Sequence, residues 1–219
     1  ALISRGLAAI GAFAVVYLPQ ALAYISLNGH LGPSHLVMRK MTWTAPHALQ
    51  VLASPQHGFL FWTPLALLAI AGLAALAIRG GGTASLDETG VRRVGGCMLL
   101  MVALQVYSAG SVESWTVAGA FGQRRFVALT SLLVIGLAAL ATLRWTASAR
   151  RIVHVAAALA IYWNVALMAE FATSLMDRQR LELARNAYDA FVTVPRMAPD
   201  LAYRYLFDRA SFYQTRAPQ

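Results

Sequence analysis

Long apolar segments alternate with short polar ones along most of this chain. Five windows of 18 to 22 residues contain at most one charged side chain each. A helix that rises 1.5 Å per residue crosses about 30 Å of hydrocarbon in such a window. The pattern therefore predicts an all-α integral membrane protein with about five transmembrane helices. These helices are predicted over residues 6–27, 59–78, 94–111, 126–143 and 152–173.

The last part of the chain, residues 176–219, follows a different pattern. Its apolar residues recur at helical spacing in two groups, with Pro195 and Pro199 between the groups. The groups are Leu181, Ala184, Tyr188 and Phe191, and then Leu201, Tyr205 and Phe212. Beside a transmembrane domain over residues 1–175, we therefore expect an extramembrane tail of two amphipathic helices that lie on the membrane or on a partner.

Composition supports the membrane interpretation. Hydrophobic residues make up 58% of the chain and charged residues only 12%, whereas a soluble domain usually has about 25% charged residues. The net charge of +9 comes almost entirely from arginine, which pairs with phosphate oxygens through two parallel hydrogen bonds. Membrane lipids are therefore the expected partners. Nucleic acid is not, because the basic residues lie in short loops beside apolar segments.

The distribution of basic residues predicts the orientation of the chain. Arginine and lysine are enriched in cytoplasmic loops, and seven of them fall on one side of the predicted helices against four on the other. The seven are Arg5, Arg79, Arg92, Arg93, Arg144, Arg150 and Arg151, and the four are Arg39, Lys40, Arg124 and Arg125. The N-terminus is therefore predicted to be cytoplasmic, and the tail extracytoplasmic.

Four histidines lie between the first two predicted membrane helices, and their spacing bears on metal binding. They are His30, His35, His47 and His57. Their separations match no compact ligand pattern, and no carboxylate accompanies them. We therefore predict no metal site. No Gly-rich phosphate loop or other cofactor motif is present either, so no cofactor is predicted.

Two polar clusters directly precede apolar segments and are the best candidates for a functional site. The first contains Gln56 and His57, and the second contains Gln123, Arg124 and Arg125. Two membrane crossings separate the clusters, which places them on the same side, where they could share one site. The arginine pair suits an anionic ligand, but it equally suits an anchor that fixes the end of a membrane helix.

The other candidate residues have two interpretations each. Glu113 with Trp115 would offer an acid beside a stacking platform for a sugar, or simply a solvated charge beside an interfacial ring. Arg39 and Lys40, on a predicted short helix, are expected to contact lipid headgroups. Glu170 is ionisable within a predicted membrane helix, but it lies near the end, where water or an arginine suffices as a partner.

A resemblance to a known family is carried by two motifs. They are Ser54-Pro55-Gln56-His57-Gly58-Phe59-Leu60-Phe61-Trp62-Thr63-Pro64 and Phe121-Gly122-Gln123-Arg124-Arg125-Phe126. In this order and spacing, they resemble the C-terminal membrane half of bacterial GT-C superfamily glycosyltransferases, related to the family 39 protein mannosyltransferases. The resemblance implies a location in the bacterial inner membrane and transfer of a sugar from a polyprenyl-phosphate carrier. It also implies that His57, Arg124 and Arg125 bind the carrier phosphate or line the sugar site.

The chain departs from that family in its first long loop. The family places its catalytic acid in the first extracytoplasmic loop, yet residues 28–58 contain no Asp or Glu. One explanation is that the chain, which begins at Ala1, lacks an N-terminal catalytic half. The alternative is a non-catalytic accessory subunit of a larger membrane protein complex.

Overall fold

The described part of the chain consists of helices joined by turns and loops. The computed structural model describes residues 2–80, 87–117 and 119–212. Their contacts divide the chain into two compact units, Ala1–Thr42 and Trp43–Gln219. The predicted fold class is confirmed at this level, since every regular element in the described residues is a helix.

The first unit consists of a long helix and a short one. Helix α1 (Leu2–Asn28) continues through Pro19 and ends where the Asn28 side chain donates a hydrogen bond to the carbonyl of Gly32 (2.8 Å). Helix α2 (His35–Arg39) follows. Arg39 and Lys40 are exposed at its end, and their predicted contact with lipid headgroups stays a prediction.

The second unit contains the remaining helices. They are α3 (Ala48–Ala53), α4 (Phe59–Trp62), α5 (Leu65–Arg79), α6 (Glu88–Gly110), a 3-10 helix (Arg124–Leu129), α7 (Thr130–Thr142), α8 (Ala147–Ala172), α9 (Leu183–Tyr188), a π-helical turn (Asp189–Thr193), α10 (Val194–Phe207) and a second 3-10 helix (Arg209–Phe212). Polar side chains begin two of the long helices. Asp87 accepts the amide of Thr89 at the start of α6, and Thr146 accepts that of Ala149 at the start of α8.

Helix α5 packs against both α6 and α7. Small residues allow these close approaches. A Cβ atom at Gly72 would collide with the carbonyl oxygen of Gly136 on α7, and one at Gly95 on α6 would lie 2.7 Å from the backbone of Ala77. The backbones therefore touch directly, as they do at small-residue interfaces between membrane helices.

The predicted single helix over residues 59–78 is wrong, because the chain breaks between α4 and α5 at Thr63 and Pro64. Proline has no amide hydrogen and disfavours helical geometry in the residue before it. Two carbonyl groups near the break accept side-chain hydrogen bonds from α8 instead. Trp163 donates to the carbonyl of Phe61 (3.0 Å), and Asn164 donates to that of Trp62 (2.8 Å).

The prolines of the tail do not separate two helices as the sequence suggested. Residues 183–207 are continuously helical, with the π-helical turn before Pro195, and Pro199 lies inside α10. A π-helical turn shifts the hydrogen-bond register, which gives a physical reason why proline, without an amide hydrogen, is tolerated next to it.

The tail returns along α8 in the antiparallel direction. Asn186 donates to Glu170 (2.6 Å), and the hydroxyl of Tyr162, lower on α8, donates to the carbonyl of Ala190 (2.6 Å). Of the first predicted apolar group, Leu181 is buried, whereas Tyr188 and Phe191 are 60% and 54% exposed. Their predicted contact with the membrane or a partner stays a prediction. Residues 213–219 and the side chain of Phe212 lie outside what the structure describes.

Four of the described helical segments are long and apolar enough to cross a membrane, judged by length and composition. They are Ile3–Asn28, Glu88–Gly110, Arg124–Thr142 and Ala147–Ala172. Helix α5 is apolar but shorter. The helices are therefore compatible with a membrane protein.

Substituting Gly72 tests the contact between α5 and α7. We expect Gly72→Ala to lower the thermal stability of the detergent-solubilised protein, because overpacking a close contact costs about 1–3 kcal/mol. The measurement is the unfolding midpoint in detergent.

Gly96→Ala is the matched control for this substitution, since a Cβ atom at Gly96 would meet nothing within 4 Å. Alanine in an open helical position is expected to be neutral or stabilising. Equal midpoints for the two variants would show that the Gly72–Gly136 approach is not a stability determinant.

Candidate functional site

Residues 54–58 form a tight turn that leads into α4. The amide of Gly58 donates to the carbonyl of Ser54 (2.8 Å), and a Cβ atom at Gly58 would overlap the Ser54 backbone. His57 has φ +62°, a left-handed conformation that few residues other than glycine adopt. The turn buries the His57 side chain completely.

The His57 ring lies in an aromatic and weakly polar environment. It stacks on Trp62, with ring centroids 4.9 Å apart and planes 12° from parallel. Neither ring nitrogen makes a hydrogen bond of ordinary geometry. Burial lowers the pKa of His57, while the nearby backbone of Arg178 and Gly122 and the charge of Asp177 raise it less. The neutral ring is therefore favoured.

The second candidate cluster is held by hydrogen bonds to its own loop. The Gln123 amide nitrogen donates to the carbonyls of Trp115 (3.0 Å) and His57 (3.4 Å). The Arg125 guanidinium donates to the carbonyls of Ser114 (3.0 Å) and Trp115 (3.3 Å). Arg125 thus stabilises the conformation of this loop.

Arg124 has different surroundings from its neighbour Arg125. It is exposed and forms no ion pair among the described residues. It lies on a groove of about 320 Å³ between α4, α5, α7 and α8, a volume within the range of small-molecule sites. The lining residues are Phe59, Thr63, Leu65, Ala66, Ala69, Phe121, Gly122, Gln123, Arg124, Phe126, Val127, Thr130, Leu133, Val134, Leu137 and Asn164.

The polar and apolar residues of the lining are separated along the helices. Gln123 and Arg124 precede the helical wall that runs to Leu137, and Asn164 lies beside the break between α4 and α5, whereas most lining residues further along α5 and α7, such as Ala69, are apolar. From Arg124 to Leu137 the helical rise amounts to about 20 Å. The groove therefore matches the shape and polarity of an amphiphile with a compact anionic head.

The structure brings some of the predicted site residues together and leaves others apart. Gln123 and Arg124 line the groove, and His57 lies next to Gln123 but does not line the groove. Trp115 is half-buried against the ring of His47, 5.7 Å between centroids, while Gln56 and Glu113 are exposed. None of the described residues in the groove lining carries a carboxylate.

Several groove residues were not among the sequence candidates. Thr63 and Asn164 line it, and Phe121 packs edge-on against Trp62, 5.4 Å between centroids. A proline after an aromatic run, at Pro64, signals a broken helix whose carbonyls need partners. Asn164, which supplies one partner, lies 102 positions after Trp62, whose carbonyl it bonds, so spacing alone could not identify it.

Among the described residues, no group of three or more His, Cys, Asp and Glu side chains could hold a metal ion; the predicted absence of a metal stays a prediction. Comparisons with protein-family models, curated proteins and solved structures find no match to this chain. The resemblance to GT-C glycosyltransferases therefore rests on its two motifs and also stays a prediction.

The lowered pKa of His57 predicts a pH-dependent stability. The unfolded chain takes up a proton near the ordinary pKa of about 6.5, whereas the folded protein resists protonation until a lower pH. Above about pH 6.5 the titration of His57 therefore does not reduce the free energy of unfolding. Between about pH 6.5 and the lower pKa of the folded protein, the free energy of unfolding falls as the pH drops. The measurement is the unfolding midpoint in detergent between pH 7.5 and pH 5.

His57→Phe is the control, because phenylalanine keeps a flat ring against Trp62 but cannot titrate. Its midpoint should fall less over the same pH interval. An identical fall in both proteins would assign the pH dependence to other groups.

Proposed function

We propose that this chain binds a polyprenyl-phosphate sugar in the groove and acts as the membrane part of a GT-C-like glycosyltransferase. The observation that carries the proposal is a groove with an exposed guanidinium, that of Arg124, at one end and an apolar interior. This arrangement favours an anionic lipid over a soluble anion, because a soluble anion would gain nothing from the apolar part. The positive charge of Arg124 also favours an anionic lipid over a neutral one.

The physical chemistry of such a lipid fits the two ends of the groove. A guanidinium forms charge-assisted hydrogen bonds with phosphate oxygens. Apolar surface removed from water contributes about 25 cal/mol per Å², and the apolar lining offers such surface to the first part of a polyprenyl chain. The head and the chain are thereby recognised by different residues.

The proposal includes a membrane topology. The four candidate helices supply four crossings, and α4 with α5 supplies a fifth, broken one in the bacterial inner membrane. The excess of basic residues at the other loops puts the N-terminus in the cytoplasm. The polar end of the groove and the tail would then be extracytoplasmic.

In sugar transfer the departing polyprenyl phosphate gains negative charge, and Arg124 is positioned to stabilise it. An acceptor must also lose a proton to a base. Among the described residues that line the groove none carries a carboxylate, so the proposal places this base outside the described lining, in the same polypeptide or in a partner.

The same observation favours a second candidate function. A groove without a base suits an accessory subunit that binds a lipid-linked substrate and presents it to a catalytic partner in a membrane complex. The exposed aromatic rings of Tyr188 and Phe191 on the tail provide a surface for such a partner. Retention of a partner in mild detergent, with sugar transfer only in the assembled complex, would favour this function.

Removing the charge at the groove tests the binding proposal. We expect Arg124→Gln to weaken binding of a polyprenyl phosphate by about 10-fold or more, because a hydrogen bond to a charged group contributes roughly 1.5–3 kcal/mol. Binding is measured by titration of the lipid into protein held in nanodiscs.

Arg151→Gln is the matched control, because Arg151 is also exposed but lies at the start of α8, away from the groove. Its affinity should equal that of the unmodified protein.

Val134→Trp provides a second test, since Val134 is 58% exposed on the groove wall and a larger side chain there should obstruct the lipid chain without changing charge. Unchanged affinity in both Arg124→Gln and Val134→Trp would overturn the proposal.

A further inference from the structure

Three buried side chains beside the polar end of the groove carry polar atoms without hydrogen-bond partners. The atoms are Nε1 of Trp62, Oε1 of Gln123 and the two ring nitrogens of His57, which make no hydrogen bond of ordinary geometry although the ring lies near the backbone of Arg178 and Gly122. His57 and Trp62 are fully buried, and Gln123 is 95% buried, being 5% exposed. Native proteins satisfy most buried polar atoms, because an unsatisfied one is destabilising. The four atoms of this cluster, none with a hydrogen bond of ordinary geometry, therefore indicate a site for a polar ligand.

The donors and acceptors of this cluster define the class of ligand. The indole nitrogen of Trp62 only donates, Oε1 of Gln123 only accepts, and a neutral His57 ring does one of each. An anion would satisfy the donors but would oppose the Gln123 oxygen. Hydroxyl groups both donate and accept, so a hydroxyl-bearing head group matches the whole set.

The cluster lies directly behind the wall of the groove. Gln123 belongs both to the cluster and to the groove lining. Gly122, also in the lining, neighbours Trp62, since a Cβ atom there would be in ordinary van der Waals contact with the Trp62 Cβ (3.7 Å). The cluster is therefore adjacent to the groove lining at Gly122 and Gln123.

On its other side the cluster is covered by a short stretch of the tail. Residues 177–180 are exposed, and the backbone of Arg178 and the carboxylate of Asp177 influence the His57 ring. This stretch runs between two buried apolar anchors, Met176 and Leu181, which pack with Trp62. The amide of Leu181 also donates to the carbonyl of Pro55 (2.9 Å).

The loops that meet at the cluster store backbone strain. His57, Val117 and Ser174 all have left-handed φ angles, of 62°, 53° and 59°. Each lies in a different loop, and the conformation is least favourable for the β-branched Val117. Such strained conformations cluster at ligand-binding and switch regions.

We infer that His57, Trp62 and Gln123 form a subsite for a hydroxyl-bearing head group, and that residues 177–180 are its movable cover. The inference rests on the proposed lipid groove and adds to it the part of the ligand that lies beyond the phosphate. Binding of the head group shifts the cover, breaks the contact between Leu181 and Pro55, and gives the four polar atoms hydroxyl partners.

The first experiment compares affinities for matched lipids in nanodiscs. The probes are phosphodiesters of equal charge, namely a polyprenyl phosphohexose against polyprenyl methyl phosphate, and phosphatidylglycerol against phosphatidylethanol. If the hydroxyl groups belong to a sugar carrier, the protein should prefer the hexose-bearing lipid of the first pair. If they belong to a glycerol head group, it should prefer phosphatidylglycerol in the second pair. His57→Phe and Trp62→Phe should each reduce that preference roughly 3-fold to 10-fold, the equivalent of one neutral hydrogen bond, without changing affinity for the lipid that lacks the hydroxyl groups.

Arg124→Gln separates this inference from the proposed function, because it should weaken both members of a pair equally. If the unmodified protein binds none of the four lipids, the proposed function and the subsite both fail. If it binds them and both aromatic variants keep the full preference, the subsite alone is overturned.

The second experiment tests the cover. In a Cys97→Ser background, Pro55→Cys with Leu181→Cys places two thiols where the backbones already share a hydrogen bond. The oxidised protein should lose the hydroxyl preference, and reductant should restore it in the same sample. A full preference in the oxidised, cross-linked protein would show that the cover does not move.

Discussion

A break in an apolar helix has to satisfy the carbonyl groups that it frees, and this constraint organises the second unit. Pro64 ends the regular hydrogen bonding after α4, where Trp62 is fully buried and Phe61 partly buried, so the freed carbonyl groups need protein partners. Trp163 and Asn164 supply the replacement donors. As a result, α8 is fixed against the break, and its polar Asn164 becomes part of the groove wall.

Close helix packing fixes the opposite side of the groove. Gly72 and Gly136 bring α5 and α7 into backbone contact, and Ala69 and Leu137, which line the groove, lie beside this contact. The 3-10 geometry of Arg124–Leu129 then determines where two adjacent arginines point. Arg125 turns back to the loop carbonyls, and Arg124 remains at the groove.

The chemistry that this arrangement can perform is binding and charge stabilisation. An arginine beside an apolar groove recognises a lipid phosphate and can stabilise charge on it as it departs. Proton removal needs a separate group, since the groove lining contains no carboxylate. A lipid-binding half of a catalytic site and a substrate-presenting subunit are both consistent with this division of labour.

The sequence by itself determined the helical class, because apolar windows of 18 to 22 residues leave a chain few alternatives to helices in a membrane. It also singled out Gln123 and Arg124 through their position next to an apolar segment. It could not separate the roles of Arg124 and Arg125, because adjacent residues differ only in direction, which the local helix geometry sets. Nor could it place Asn164 at the break or pack Asn186 against Glu170. Those contacts join distant positions, and only the tertiary structure decides which buried donor meets which acceptor.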